Sequence, residues 1–270
     1  MKSCVNNYAA DEALKYPVVL VHGIIAHDRR SFLNFWGRIP KIYGKKGIKV
    51  YLGNTDSWGS YDSNAKILKS TIEKILLKTK TEKVNIIAHS KGGIDSRYLI
   101  WNHGFGDKVA SLTTISTPHH GSALADLIFN KKAFHSEAIK KILDVFGKLY
   151  GDVNPDLRTV TCQLTTSNMK EFNTHIEKDE NVYCQSLYTT MKNSFDDLMF
   201  FHTHRYLKNI SGENDGFVNE NSAKWGENVY KIEGAISHAE ILDYKMKNIF
   251  GINIPDIYLK IAEKLAKKGF

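Results

Sequence analysis

Short, almost wholly apolar runs punctuate this chain, and between them the apolar positions change to helical spacing. Pro17-Val18-Val19-Leu20-Val21 is the first such run, and β-branched runs of this length suit a strand buried on both faces of a parallel sheet. His22-Gly23-Ile24 ends it, and a polar loop with Asp28, Arg29 and Arg30 follows. Lys49-Val50-Tyr51-Leu52 reads as a second strand, closed by Gly53-Asn54. From Asn64 to Lys78, Ile67, Leu68, Ile72, Ile75 and Leu76 recur on one helical face, with Lys66, Lys69, Glu73 and Lys74 elsewhere. Val84 to Ala88 reads as a third strand, Gly92 to Trp101 as a helix, and Val109 to Ile115 as a fourth strand stopped by Pro118.

Strands that alternate with helices imply a parallel sheet with right-handed crossovers. The alternation breaks over residues 119–180, which hold a long helix-like stretch and few convincing strands. Val182 to Thr190 and Val229 to Ile236 return to strand composition, and residues 256–268 form a last amphipathic helix through Ile257, Ile261 and Leu265. With no internal repeat or low-complexity linker, residues 1–270 read as one domain carrying an insertion at about 119–180.

Composition changes this picture little. The chain has 270 residues, 42% hydrophobic and 24% charged, enough for one large core. A net charge of +8 favours anionic partners. The lysines are scattered, however, with no zinc-finger or RNA-binding signature, so no nucleic-acid partner is expected. Three cysteines, Cys4, Cys162 and Cys184, argue against a disulfide scaffold; Cys162 and Cys184 pair only if their segments lie close. The N-terminus lacks a signal peptide's apolar run, and no stretch is long enough to span a bilayer. The expected compartment is the cytoplasm, or the outside for a mature form whose signal has been removed.

Chemistry enters at Ala88-His89-Ser90-Lys91-Gly92, where the third strand meets a helix. A nucleophile elbow places its Ser on a tight, strained turn, and small residues two positions either side let strand and helix approach. The usual first residue is Gly; Ala88 keeps the volume small. The backbone N–H of Lys91, next after the nucleophile, is a candidate oxyanion donor. The Lys91 side chain has no evident task and reads as solvated.

Pro17 to Gly23, Ala88 to Gly93, and Ser116-Thr117-Pro118-His119-His120-Gly121-Ser122 together resemble the bacterial triacylglycerol lipases, the true lipases of pseudomonads, bacilli and clostridia. Ala88 is similar to the bacillus branch. The likeness runs from residue 17 to about 125 and again from about 195 to 245. It implies an α/β-hydrolase: a mostly parallel central sheet of eight strands or slightly fewer, flanked by helices, without the early antiparallel strands and with a helical lid insertion.

A serine hydroxyl needs an imidazole to take its proton, and the imidazole needs a carboxylate to fix its tautomer. In this fold the order is Ser, acid, His. Asp215, in Asn214-Asp215-Gly216, and His238, in Ser237-His238-Ala239-Glu240, fit that order. Asp196 and Asp197 rival the acid; His119, His120, His202 and His204 rival the base. Asp215 lies in a loop read as following a strand, and Asp-Gly is also a plain turn signal.

The resemblance assigns the second oxyanion donor to Ile24, with His22 bracing that loop. It also raises a structural Ca²⁺, held in several bacterial lipases between a carboxylate preceding the catalytic acid and one two residues after the catalytic His. Here those positions fall on Asp196 or Asp197 and on Glu240, where Asp is usual. The chemistry needs no cofactor, and the insertion that binds zinc in another branch is not found. In the insertion, Ile139, Ile142, Leu143, Phe146 and Leu149 share a helical face. That face suits a lid that opens onto a lipid–water interface, or a helix packed permanently on the core.

The expected activity is hydrolysis of carboxylic esters, of triacylglycerols first. A short-chain carboxylesterase, a phospholipase or an acyltransferase are alternatives within enzymes. A catalytically silent lipid- or protein-binding member is the alternative outside them. Oligomeric state is left open.

Overall fold

The computed structural model describes residues 14–24, 26, 28, 34–137, 141, 144, 145, 147, 148, 151–176 and 179–270. Its centre is a six-stranded sheet of β1 (Val18–Val21), β2 (Val50–Leu52), β3 (Val84–His89), β4 (Val109–Ile115), β5 (Tyr183–Thr190) and β6 (Val229–Ala235). The order across the sheet is β2-β1-β3-β4-β5-β6, and every neighbouring pair runs parallel. Each strand lies within a residue or so of the run that predicted it.

The apolar runs do not alternate because both faces of the sheet are covered. Val18 and Leu20 point to one side, with Trp36, Ile39 and Tyr43 of α1 (Ile39–Lys45) and its approach, and with Ile254, Tyr258, Ile261 and Leu265 of the last helix. Val19 and Val21 point to the other, against Ala65, Leu68, Ile72 and Ile75 of α2 (Tyr61–Thr79). All four β1 side chains are fully buried, each worth roughly 1.5–3 kcal/mol relative to exposure. Ser60 caps α2 by accepting from the Ser63 N–H, satisfying one of the first turn's orphan donors.

α3 (Lys91–Arg97) opens directly after β3 and widens into a π-turn at Tyr98–Asn102, so the helix expected from Gly92 to Trp101 changes pitch halfway. Between β4 and β5 the described helices are α4 (Ala123–Phe129), α5 (Leu157–Gln163) and α6 (Thr166–His175). The stripe Ile139, Ile142, Leu143, Phe146 and Leu149 lies outside the described residues. After β5 come α7 (Phe201–Ser211), the short α8 (Glu220–Ala223) and, beyond β6, α9 (Ile254–Lys267). Tyr43 donates its hydroxyl to the Tyr258 carbonyl at 2.6 Å, tying α1 to α9.

Cys162 sits on α5 and Cys184 on β5, and no disulfide joins them, so the pairing allowed by the sequence does not form. Among the described residues no helix is long and apolar enough to cross a membrane.

Candidate active site

Ser90 stands at the C-terminal end of β3 with φ 54° and ψ −132°, a left-handed conformation that costs a non-glycine residue about 1–3 kcal/mol unless its surroundings enforce it. They do so by close approach. A Cβ on Gly92 would meet the His22 carbonyl oxygen at 2.5 Å and that of Val21 at 2.7 Å. One on Gly23 would lie 2.6 Å from Ser90 Cβ. The Ser90 N–H donates to the Ile115 carbonyl at 2.9 Å, and the Thr117 hydroxyl donates to the Ser90 carbonyl at 2.8 Å. The turn is thus clamped by the ends of β1 and β4, the two strands that flank β3.

His238 follows β6 and reaches back across the sheet end. Its Nε2 lies 3.0 Å from Ser90 Oγ, and its Nδ1 lies 2.8 Å from Asp215 Oδ2. A carboxylate only accepts, so Nδ1 carries the proton and Nε2 is left to accept from the serine hydroxyl. Asp215 is oriented in turn: its Oδ1 accepts the N–H groups of Phe217 at 3.0 Å and Val218 at 2.8 Å. Its backbone carbonyl accepts the His238 N–H at 2.8 Å. The loop holding Asp215 follows α7 rather than a strand, a correction to the sequence reading, because a full helix is inserted after β5. Serine, imidazole and carboxylate in this chain of contacts can move a proton off Ser90 and stabilise the resulting imidazolium.

The sequence reading missed a further participant. His89 is buried, and its Nε2–H donates to the His238 backbone carbonyl at 2.9 Å, with the two rings 4.6 Å apart. Its position inside the elbow was the available signal. Of the rival histidines, His119 is buried between Thr114 (3.0 Å) and Arg97 (3.2 Å). His204 pairs with Ser194 and His120 with the Lys224 carbonyl, while His202 packs against Phe201. His22 donates from Nδ1 to the Gly23 carbonyl at 2.8 Å, within its own loop.

Burial and the neighbouring His238 hold the His89 imidazole well below its usual value; burial and adjacent Arg97 do the same for His119. For both groups the folded value lies below the unfolded one. The unfolded chain therefore gains protons, as pH falls through about 6.5, that the fold refuses. Stability is full above that value and falls on acidification by up to about 1.4 kcal/mol per pH unit for each histidine. Urea midpoints measured from about pH 7 to about pH 5 should decline accordingly, and His119→Gln should flatten the slope. A flat wild-type profile contradicts the assignment.

The Lys91 side chain is not solvated. It is 3% exposed, and its Nζ lies 2.7 and 2.9 Å from the Asp95 carboxylate one turn on. Asn64 Nδ2 donates to the same carboxylate at 2.8 Å. The solvated reading fails because Lys91 lies on the buried first turn of α3, where a charge persists only with a partner. The Lys91 backbone N–H directly follows Ser90, and half-buried Ile24 follows Gly23, whose backbone abuts Ser90; both proposed oxyanion donors therefore belong to segments packed on the serine.

Asp196 and Asp197 part company. Asp196 closes a local turn by accepting from the N–H groups of Lys192 and Asn193. Asp197 is buried and accepts the Ser237 hydroxyl at 2.7 Å, one residue from His238. Glu240 is also buried and accepts the Ser237 N–H at 3.1 Å. Lys245 Nζ lies 2.7 Å from Glu240 Oε1 and 3.4 Å from Asp197 Oδ2. Among the described residues no three His, Cys, Asp or Glu side chains are grouped to hold a metal ion.

A parallel sheet with a serine on a strained strand-to-helix turn, in reach of a carboxylate-held histidine, defines an α/β-hydrolase. Within that class the chain belongs to the palmitoyl protein thioesterase family, whose model matches residues 17–238. Triacylglycerol lipase 2 of Saccharomyces cerevisiae is 30% identical over 274 residues, 88% of this chain and 75% of its own. The triacylglycerol lipase of Pseudarthrobacter phenanthrenivorans is 33% identical over 176 residues, 59% of this chain. The match spans about half (54%) of that relative's length. Staphylococcus hyicus lipase shares the fold with a TM-score of 0.73 at 16% identity, over 96% of this chain and 97% of that one. The resemblance to triacylglycerol lipases carried by the three motifs holds.

Proposed function

We propose that this chain is a carboxylic ester hydrolase acting on lipid esters through an acyl-enzyme on Ser90. The observation that carries the reading is His238, with Nε2 on Ser90 Oγ and Nδ1 on Asp215. His238 takes the Ser90 proton as Oγ attacks the ester carbonyl, and the oxyanion turns to the backbone N–H groups of Lys91 and Ile24. His238 then protonates the departing alcohol. In the second half it takes a proton from water, whose oxygen attacks the acyl carbon, and returns that proton to Ser90 Oγ as the acyl–Oγ bond breaks and the acid leaves. No cofactor enters these steps.

A lipid substrate is supported by relatives named triacylglycerol lipase and by the rim of the site. Phe200 and Phe217 rings lie 6.4 and 5.1 Å from the His238 ring. On the same segment Phe195, Leu198 and Met199 are 74%, 73% and 65% exposed. Clustered exposed apolar side chains beside a site suit contact with a lipid–water interface. The insertion at 119–180 serves in this reading as the cap over the site.

Hydrolysis of p-nitrophenyl butyrate and p-nitrophenyl palmitate, each dissolved and emulsified, tests the proposal. Turnover of both, rising for palmitate in emulsion, is expected. Butyrate turnover with no gain from emulsion makes the chain a short-chain carboxylesterase. Inactivity on both esters leaves the silent binding member standing.

A further inference from the structure

We propose that the Lys245 ammonium is the built-in cation that fixes the His238 loop, and that the enzyme therefore works without calcium. The inference rests on the role proposed above for His238. Ser237, the residue before it, is held from two sides: its hydroxyl donates to Asp197 and its N–H to Glu240. The Glu240 N–H donates back to the Ser237 hydroxyl at 3.3 Å. Asp197 and Glu240 are only 6% and 3% exposed. Two buried carboxylates at one loop demand positive charge, since removing a partner from such a group leaves a charge that the interior does not solvate.

Lys245 supplies that charge. Its ammonium bridges Glu240 Oε1 and Asp197 Oδ2 while its side chain is 28% exposed. The two carboxylates thus pull on one centre from the loop after β5 and from the loop after β6. These carboxylates stand where the lipases this chain resembles are expected to place Ca²⁺. The residues do not fit that ion. Ca²⁺ takes six to eight oxygen ligands, whereas here an ammonium with three N–H donors lies between the two carboxylates, and no third acidic, His or Cys side chain joins them among the described residues. An ammonium cannot be stripped by a chelator. Lys245 is a positioning residue: its ammonium pairs with Asp197 and Glu240, and it acts through Ser237 on the angle from which the imidazole meets the serine.

The test is steady-state hydrolysis of dissolved p-nitrophenyl butyrate by the full chain, with EDTA or with added calcium, for wild type, Lys245→Met and Lys245→Arg. Wild type should be indifferent to both additions. Lys245→Met should lose about 10- to 100-fold in kcat with KM held, as a small misplacement of a catalytic group does; Lys245→Arg, which keeps the charge, should recover most of it. If Lys245→Met does not fold, Glu240→Gln carries the same expectation, because its amide still accepts the Ser237 N–H. A wild type that EDTA silences and calcium restores overturns the proposal, as does a folded Lys245→Met with wild-type kcat. An active Ser90→Ala instead overturns the reading of the site on which it rests.

Discussion

His238→Ala is expected to lower kcat for a dissolved ester by about 10⁶-fold, with Ser90→Ala losing as much and the double variant no more. The three groups act as a unit, with His238 taking the Ser90 proton and Asp215 orienting and stabilising the imidazolium, so removing the acceptor leaves Ser90 Oγ with its proton and little nucleophilicity. Asp215→Asn keeps the shape but no longer specifies the Nδ1–H tautomer, and a loss of about 10⁴-fold follows. The fold should survive these changes: what His89 holds is the His238 backbone carbonyl, which alanine retains. Stopped assays at high enzyme concentration, with circular dichroism to confirm folding, measure the effect. A His238→Ala variant within 10-fold of wild type, an order-of-magnitude threshold on the scale of about 10²–10⁴-fold for acid–base catalysis, defeats the assignment.

The largest expected effect on stability lies one turn away. Asp95→Ala strands the Lys91 ammonium at 3% exposure and removes an acceptor from Asn64, at a cost of about 3–5 kcal/mol. Replacing both partners, Lys91→Met with Asp95→Leu, should cost far less, because the pair itself does not add net stability. Burial pushes the Asp95 carboxyl above its usual value against the pull of Lys91 and Asn64. A carboxyl raised by folding holds its proton more tightly in the fold, so its contribution weakens as pH rises from the unfolded value through the folded one. Urea unfolding of the single and double variants decides the matter; a single variant within about 1 kcal/mol of wild type shows the charge finds another partner.

Much of this architecture was legible because its signals are local. β1 is a continuous apolar run that only a sheet covered on both faces accommodates, and the elbow carries the small residues Ala88 and Gly92 on either side of Ser90. Asp215 and His238 were legible through chain order and short motifs. What stayed hidden depends on contacts between distant segments. Asp197 and Glu240, from separate loops, meet through Ser237 and Lys245. Chain order alone did not distinguish Asp197 from Asp196, one of which braces the His238 loop while the other caps a turn. Lys91 is the opposite case: Asp95 stands four residues on, a helix spacing that was open to reading. Lysine is so often solvated that this spacing by itself does not mark a buried pair.

The interlock at Ser90 also sets how this chain can be recombined. Val21-His22-Gly23, Ser90 to Gly93 and Thr117 meet with no room for an added methyl group at Gly92 or Gly23, so they are inherited as a unit. A crossover with a diverged relative placed between β1 and β3 joins halves whose backbones were never fitted to each other, and the damage falls on the elbow. Paired crossovers, one just beyond Thr117 and one before β5, leave that unit and the Asp215 and His238 loops whole and exchange only the segment between β4 and β5. Shuffled libraries seeking new substrates from this scaffold therefore belong in that segment.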